Sequence, residues 1–204
     1  MKHKGGTMTP IAAFHQGIDY LLQGSATQQH AYHTLQELRI FTILQEYSPV
    51  LVGTVPIDIN IDDSDLDIIC EVYHFTDFQV IVDHYFSRMR GYRYTYKLVE
   101  GVPRAVCSFH YNDWLIQLFA QPVAAVQQYG YKHMVVEHRI LQLIDSSFRQ
   151  QIRALKASGV KTEPAFAKLL QLEGDPYAAL LELFDWSDEQ LMQLLDKTIG
   201  KGDD

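Results

Sequence analysis

The chain has 204 residues, 47% of them hydrophobic and 12% aromatic, with a formal charge of −8. That length and apolar content fit one proper core with room for a helical appendage, and the acidic balance argues against a general DNA- or RNA-binding surface. No window is apolar enough to span a membrane, and no apolar run follows the basic start Met1-Lys2-His3-Lys4, so a cytoplasmic protein with Cys70 and Cys107 as buried free thiols is expected.

In chain order, residues 1–9 are expected to fray. A short helix is expected over Ile11–Leu22, with Phe14, Ile18, Leu21 and Leu22 on one face and a stop at Gly24. Ser25 caps a longer helix to about Glu46, striped by Leu35, Leu38, Phe41 with Ile40, and Leu44 or Ile43. Pro49 ends it and starts the strand Val50-Leu51-Val52. The loop Val55–Asp63 interleaves Ile57, Ile59 and Ile61 with acids, a pattern that fits a short strand of its own. The strand Asp65–Tyr73 follows, then a helix capped by Thr76 that runs to about Met89 and ends at Gly91. Strands over Tyr92–Glu100, Ala105–Tyr111 and Trp114–Phe119 are joined by turns at Gly101-Val102-Pro103 and Asn112-Asp113. With the two earlier strands they make a mixed sheet of about five, flanked by helices, in the α+β class. From Pro122 the pattern is helical. One broken helix or two cover Val126–Phe148, continuing to Ala157 with a break at Gly159, and Pro164–Leu172, Pro176–Phe184 and a Ser187-capped helix follow. Gly200–Asp204 is a tail. The organisation is thus a core domain over 1–122 and a helical C-terminal portion over 123–204, packed together as one compact unit.

The chemistry concentrates where the apolar strand ends in Gly53-Thr54. Ten residues, 55–64, separate that pair from Asp65-Leu66-Asp67 at the start of the next strand. Alternation along a strand puts Asp65 and Asp67 on one face. Two ionised carboxylates that close repel unless a hard cation sits between them, and Mg²⁺ takes one or two carboxylates plus substrate phosphates. Gly53 lets a phosphate approach the backbone, and the Thr54 hydroxyl can donate to it. The alternative is a solvated strand start. A phosphate cradle followed by an Asp-x-Asp clamp suggests phosphoryl or nucleotidyl transfer.

This pattern resembles the Gly-[Gly/Ser]-spacer-Asp-x-Asp signature of the polymerase-beta-like nucleotidyltransferase superfamily, with Thr54 where Ser is commoner. Gly53-Thr54-Val55-Pro56-Ile57 leading to Ser64–Cys70, with the later segment Gln127–Arg139, is similar to an uncharacterised bacterial branch of it. The resemblance runs over roughly residues 30 to 180. It implies a nucleotidyltransferase-like fold and transfer of a nucleoside monophosphate from Mg-NTP to an acceptor. Asp65 and Asp67 would hold Mg²⁺ as catalytic residues, and Gly53, Thr54 and Ser64 would cradle the phosphates. It also implies a third carboxylate on the strand Trp114–Phe119, where the polar residue is Gln117. Glutamine hydrogen-bonds or ligates weakly and cannot act as a base at ordinary pH. Either Glu71, Asp58, Asp63 or Asp113 substitutes, the site uses one metal, or turnover has been lost.

Lys132 and His133 lie on a predicted helix, with Glu137 one turn beyond His133. They either reach the triphosphate or an acceptor hydroxyl, or belong to a surface helix with ordinary salt pairs. His30 and His33 have no further ligand at zinc spacing and read as exposed side chains. Arg88, Arg90, Arg93, Lys97 and Arg104 read as the polar face of a half-buried hairpin in preference to an anion-binding surface. Tyr92, Tyr94 and Tyr96 read as cross-strand packing. Two rivals stand beside the enzyme: a non-catalytic nucleotide-binding protein, and an interaction module that self-associates or pairs with a helical partner through its leucine-rich C-terminal helices. A large nucleic acid is the least favoured acceptor.

Overall fold

The computed structural model describes residues 10–199. The expected frayed start and the tail lie outside the described residues. By contacts the chain divides into two units. The first takes the chain as far as Asp58 and again from Asp63 to Tyr131, and the second takes Ile59–Asp62 and the chain from Lys132 on.

The first unit is built on a five-stranded mixed sheet in the order β1-β2-β5-β4-β3, formed by β1 (Val50–Val52), β2 (Leu66–Glu71), β3 (Arg90–Val99), β4 (Val102–Tyr111) and β5 (Trp114–Gln121). Only β2 and β5 run parallel, and every other neighbouring pair is antiparallel. Period-two alternation decides which face is buried. Leu66, Ile68 and Cys70 of β2, Ile116, Leu118 and Ala120 of β5, and Ala105, Cys107 and Phe109 of β4 point into the core. There they meet Ala31 and Leu35 of α1 (Ala26–Glu37) and Phe78, Val82 and Phe86 of α3 (Phe75–Phe86), helical positions spaced three to four apart. The Phe86 and Phe109 rings stack with centroids 4.7 Å apart. Burial pushes the Cys107 thiol up to about 12, and Cys70 is raised by the same cause, so neither free thiol is a ready nucleophile.

Several elements differ from the sequence expectation. The first helix is two 3₁₀ turns, Ile11–His15 and Asp19–Gln23, separated by Gly17 at φ +124°. The long helix to Glu46 is broken, because Arg39 adopts a left-handed φ of 53° and a short α2 (Ile40–Ile43) and a 3₁₀ turn follow. The break lets both Leu38 and Ile40 reach the core. The Ile57/Ile59/Ile61 segment is not a strand among the described residues: it turns, with Ile57 and Ile59 buried. Helix α3 starts at Phe75 with His74 at its N-cap, two residues before the expected cap Thr76. Val102 and Pro103 belong to β4, so the β3–β4 turn is Glu100-Gly101, both at positive φ.

The second unit contains most of α4 (Tyr129–Leu143), then α5 (Ser146–Ala157), α6 (Thr162–Leu169), α7 (Pro176–Glu182) and α8 (Asp188–Ile199). Phe148, Ile152, Phe166, Leu170, Leu180, Leu183 and Leu191 are buried, and Leu169, Leu172, Leu181 and Phe184 are half-buried. These leucines and phenylalanines therefore serve the chain's own interior. Arg139 holds the α7–α8 connection by donating to Phe184 O (3.2 Å), Trp186 O and Asp188 Oδ1 (2.8 Å). No helix among the described residues is long and apolar enough to cross a membrane.

Candidate active site

Antiparallel pairing sets Val52 opposite Asp67, and parallel pairing sets Asp67 opposite Gln117. Gly53 just after β1, Asp67 near the start of β2 and Gln117 midway along β5 therefore sit side by side on three adjacent strands. Asp65 lies one residue ahead of β2, yet it joins them. Gln117 Nε2 donates to Asp65 Oδ2 at 2.5 Å and to Asp67 Oδ1 at 3.5 Å. The amide hydrogens thus sit between two converging carboxylates, where a cation would otherwise neutralise them.

Gly53 turns at φ +84°, and a Cβ there would lie 3.1 Å from Asp67 Oδ2. Only glycine combines that conformation with so close a carboxylate. Gly53→Ala is expected to cost about 1–2 kcal/mol from the left-handed backbone alone, and to crowd Asp67. Thermal unfolding checks it: an unchanged midpoint would mean that the turn relaxes freely. Thr54 Oγ1 donates to Ser64 Oγ at 3.4 Å, bringing together the two ends of the spacer loop.

One contributor escaped the sequence reading. Gln28 of α1 is buried at 6% exposure, and its Nε2 donates to Val55 O (2.9 Å) and Pro56 O (3.1 Å), directly after Thr54. Its Oε1 accepts from Ser25 N at 3.0 Å, completing a capping box with Ser25. The Ser-x-x-Gln spacing was the available signal. Gly24 is part of the device, since a Cβ there would fall 1.9 Å from Gln28 Oε1. Gln28→Ala leaves two loop carbonyls without their donor and is expected to lower stability by about 2–3 kcal/mol. At roughly 2–4 °C per kcal/mol for a chain of this size, the melting temperature should fall several degrees.

The other side chains proposed as a third acid do not complete the group. Glu71 shares the face of Asp67 but lies four residues along β2, about 13 Å away, and accepts from Tyr73 Oη at 2.9 Å. Asp63 and Asp113 are exposed, and Asp58 sits in the loop at φ +56°. Among the described residues no three His, Cys, Asp or Glu side chains form a group that could hold a metal. Asp65 and Asp67 still fit Mg²⁺ as a pair, since their convergence next to an open glycine turn leaves the remaining positions to substrate oxygens.

Lys132 and His133 make contacts within the helical unit. The Lys132 ammonium lies 5.3 Å from the Phe184 ring centroid. His133 is buried, its Nε2 donating to Tyr177 O at 3.0 Å and its Nδ1 lying 3.5 Å from Glu163 Oε1. Beside it, burial pushes the Glu137 carboxyl well above its ordinary value of 4.5, with Glu163 adding to the rise and Lys156 opposing it. Lys156 Nζ donates to Ile59 O at 3.0 Å. A carboxyl raised in the folded state holds its proton longer than the unfolded chain does, so its contribution to stability is lost as pH climbs above that ordinary value. Glu137→Gln should therefore gain melting temperature over the wild type as pH is raised from acid to alkaline. A difference independent of pH would contradict the assignment. His30 and His33 are exposed, beside Trp114 and Tyr32 respectively.

Residues 33–183 match the family described as Domain of unknown function (DUF4269). The chain belongs to that family. Among solved structures, this DUF4269 chain is similar to a Cid1 poly(U) polymerase bound to MgATP, with 12% identity and a TM-score of 0.50 over 77% of this chain and 49% of that one. It is also similar to a chain of the GLD-2/RNP-8 complex, with 13% identity and a TM-score of 0.50 over 91% of this chain and 81% of that one. At such identities the likeness concerns the fold, which is nucleotidyltransferase-like as the motif implied. The DUF4269 chain spans about half the length of the Cid1 chain it matches. No curated protein matches it in sequence.

Proposed function

We propose that this chain is a nucleotidyltransferase that binds an NTP and moves its nucleoside monophosphate to an acceptor hydroxyl. The observation that carries the reading is the convergence of Asp65 and Asp67 on one point beside the Gly53 turn. Gly53, Thr54 and Ser64 receive the phosphates, the glycine by leaving room and the hydroxyls by donating. Asp65 and Asp67 would hold Mg²⁺, which when bound would offset the charge of the phosphates and of the carboxylate pair. The acceptor oxygen bonds to the α-phosphorus, the bond to the pyrophosphate oxygen breaks, and pyrophosphate departs. The hydroxyl proton goes to a carboxylate of the pair or to water. Gln117 orients the acceptor by hydrogen bonding but takes no proton. Lys132 and His133 are further candidates for the nucleotide on the family motif alone.

A second reading has its own observation. Gln117 already satisfies both carboxylates, and no third acid joins them among the described residues, an arrangement that suits a protein binding nucleotide without turnover. Both readings need the nucleotide, so incubation with each α-labelled NTP, Mg²⁺ and cell extract separates them. Label transferred to an extract component, and lost in Asp65→Ala/Asp67→Ala, supports the transferase. Mg²⁺-dependent nucleotide binding without any transfer supports the second reading.

A further inference from the structure

The face of the sheet that carries Asp67 changes in chemistry from strand to strand. Asp67 is aligned with Gln117, Gln117 with Ser108 and Ser108 with Arg93. Partners in adjacent strands point to the same side, so the row reads carboxylate, amide, hydroxyl, guanidinium. Strands lie about 4.8 Å apart, which puts the Arg93 backbone roughly 10 Å from that of Gln117. More cations share this face. Arg104, two alternations along β4 from Ser108, stands opposite Lys97. Arg90 stands opposite His110, and the register slips between Arg90 and Arg93, where Gly91 turns at φ +70°. That bulge brings Arg90 and Arg93 to the same side although they are three residues apart.

These cations are poorly compensated. Arg90, Arg93 and Lys97 are exposed, and among the described residues none of the four forms an ion pair with a carboxylate. Lys97 and Arg104 are like charges directly opposed, a destabilising pair unless an anion joins them. Arg104 Nε is buried without a hydrogen-bond partner. Position then decides what the patch faces. If the NTP phosphates lie at Gly53 and Thr54, pyrophosphate departs on the β1 side, and in-line attack brings the acceptor from the β5 side. Beyond β5 lie Ser108 and the cations.

We propose that this face of β3 and β4 holds the acceptor, and that the acceptor is a small molecule bearing a phosphate group as well as the reacting hydroxyl. The hydroxyl lies at Gln117 and the phosphate at Arg93, with Arg90 and the Lys97–Arg104 pair adding to the positive potential. A small acceptor fits better than a nucleic-acid strand, because the cations are confined to one hairpin of a chain whose charge is −8. The inference rests on the transferase reading for the acceptor's placement.

Titration calorimetry of the full chain with ribose 5-phosphate, inorganic phosphate and ribose tests it, in the wild type, Arg93→Glu and Asp65→Ala/Asp67→Ala. Arg93 is exposed on the edge strand, so its reversal should leave the fold intact. The phosphate compounds should bind, ribose should not, and Arg93→Glu should weaken them about tenfold or more, the loss of one charge-assisted contact. The Asp double variant should keep that binding. In parallel, MgATP binding should be lost in the Asp double variant and kept in Arg93→Glu, so a failed nucleotide reading shows separately from a failed acceptor site. Absence of phosphate binding, or affinity unchanged by Arg93→Glu, overturns the proposal. So does Arg93-dependent binding of an oligouridylate roughly tenfold or more tighter than ribose 5-phosphate, which would put a strand on this face.

Discussion

Saturating NTP with Mg²⁺ is expected to raise the melting temperature of the wild-type chain by about 5–10 °C, and Asp65→Ala/Asp67→Ala to erase the whole rise. A ligand at about 100 times its dissociation constant adds roughly 2.7 kcal/mol, and a chain of this size gains roughly 2–4 °C per kcal/mol. The erasure should be complete because the two carboxylates act as one site: both converge on the Gln117 amide, and among the described residues no third acid joins them in a group that could hold a metal. Transferase activity, where the acceptor is supplied, should fall by the same double substitution to background. The unliganded variant should unfold with a single transition near the wild-type temperature, since both side chains are only half-buried. A rise that survives the substitutions would move the nucleotide away from Gly53 and Asp67 altogether.

Gln117→Glu should act in two opposite directions. Without metal, a third carboxylate replaces the donor that now lies 2.5 Å from Asp65 Oδ2 and 3.5 Å from Asp67 Oδ1. Two attractive contacts become repulsive, which should cost about 1–3 kcal/mol and several degrees of melting temperature. Adding Mg²⁺ alone should restore those degrees in the variant while moving the wild type little. If the scaffold retains its geometry, nucleotidyl transfer should rise, since a base of suitable charge now faces the acceptor. General-base effects of roughly 10²–10⁴-fold set the scale of that gain. Mg²⁺-dependent recovery without any transfer would favour the nucleotide-binding reading. No response to Mg²⁺ in the variant would argue that these three side chains do not form a cation site.

Sheet and motif were legible because their signals are local. Val50–Val52 is a short apolar run closed by Gly53, and the alternation of Trp114, Ile116, Leu118 and Ala120 marks one buried face without help from elsewhere. Asp65 and Asp67 stand out because two charged residues open an otherwise apolar strand. The long helix to Glu46 failed because its apolar positions continue past Arg39, and nothing in the periodicity reveals a residue at φ 53°. Ile57, Ile59 and Ile61 alternate like a strand, but a strand needs a neighbour, and none pairs with this segment among the described residues. Gln28 was missed because only its amide oxygen serves the local cap at Ser25, while its amide hydrogens meet Val55 and Pro56, some 27 residues on.

The sequence by itself determined the strand alternation, the Gly53-Thr54 turn, the Asp65/Asp67 pair and the lack of an acid at Gln117, because each depends on residue type and near spacing. Tertiary structure alone decided that β5 inserts between β2 and β4, which brings Gln117 onto the carboxylates and lines up Asp67, Gln117, Ser108 and Arg93 on one face. Strand order follows from how whole faces bury against helices α1 and α3, a competition among distant segments that no local pattern encodes.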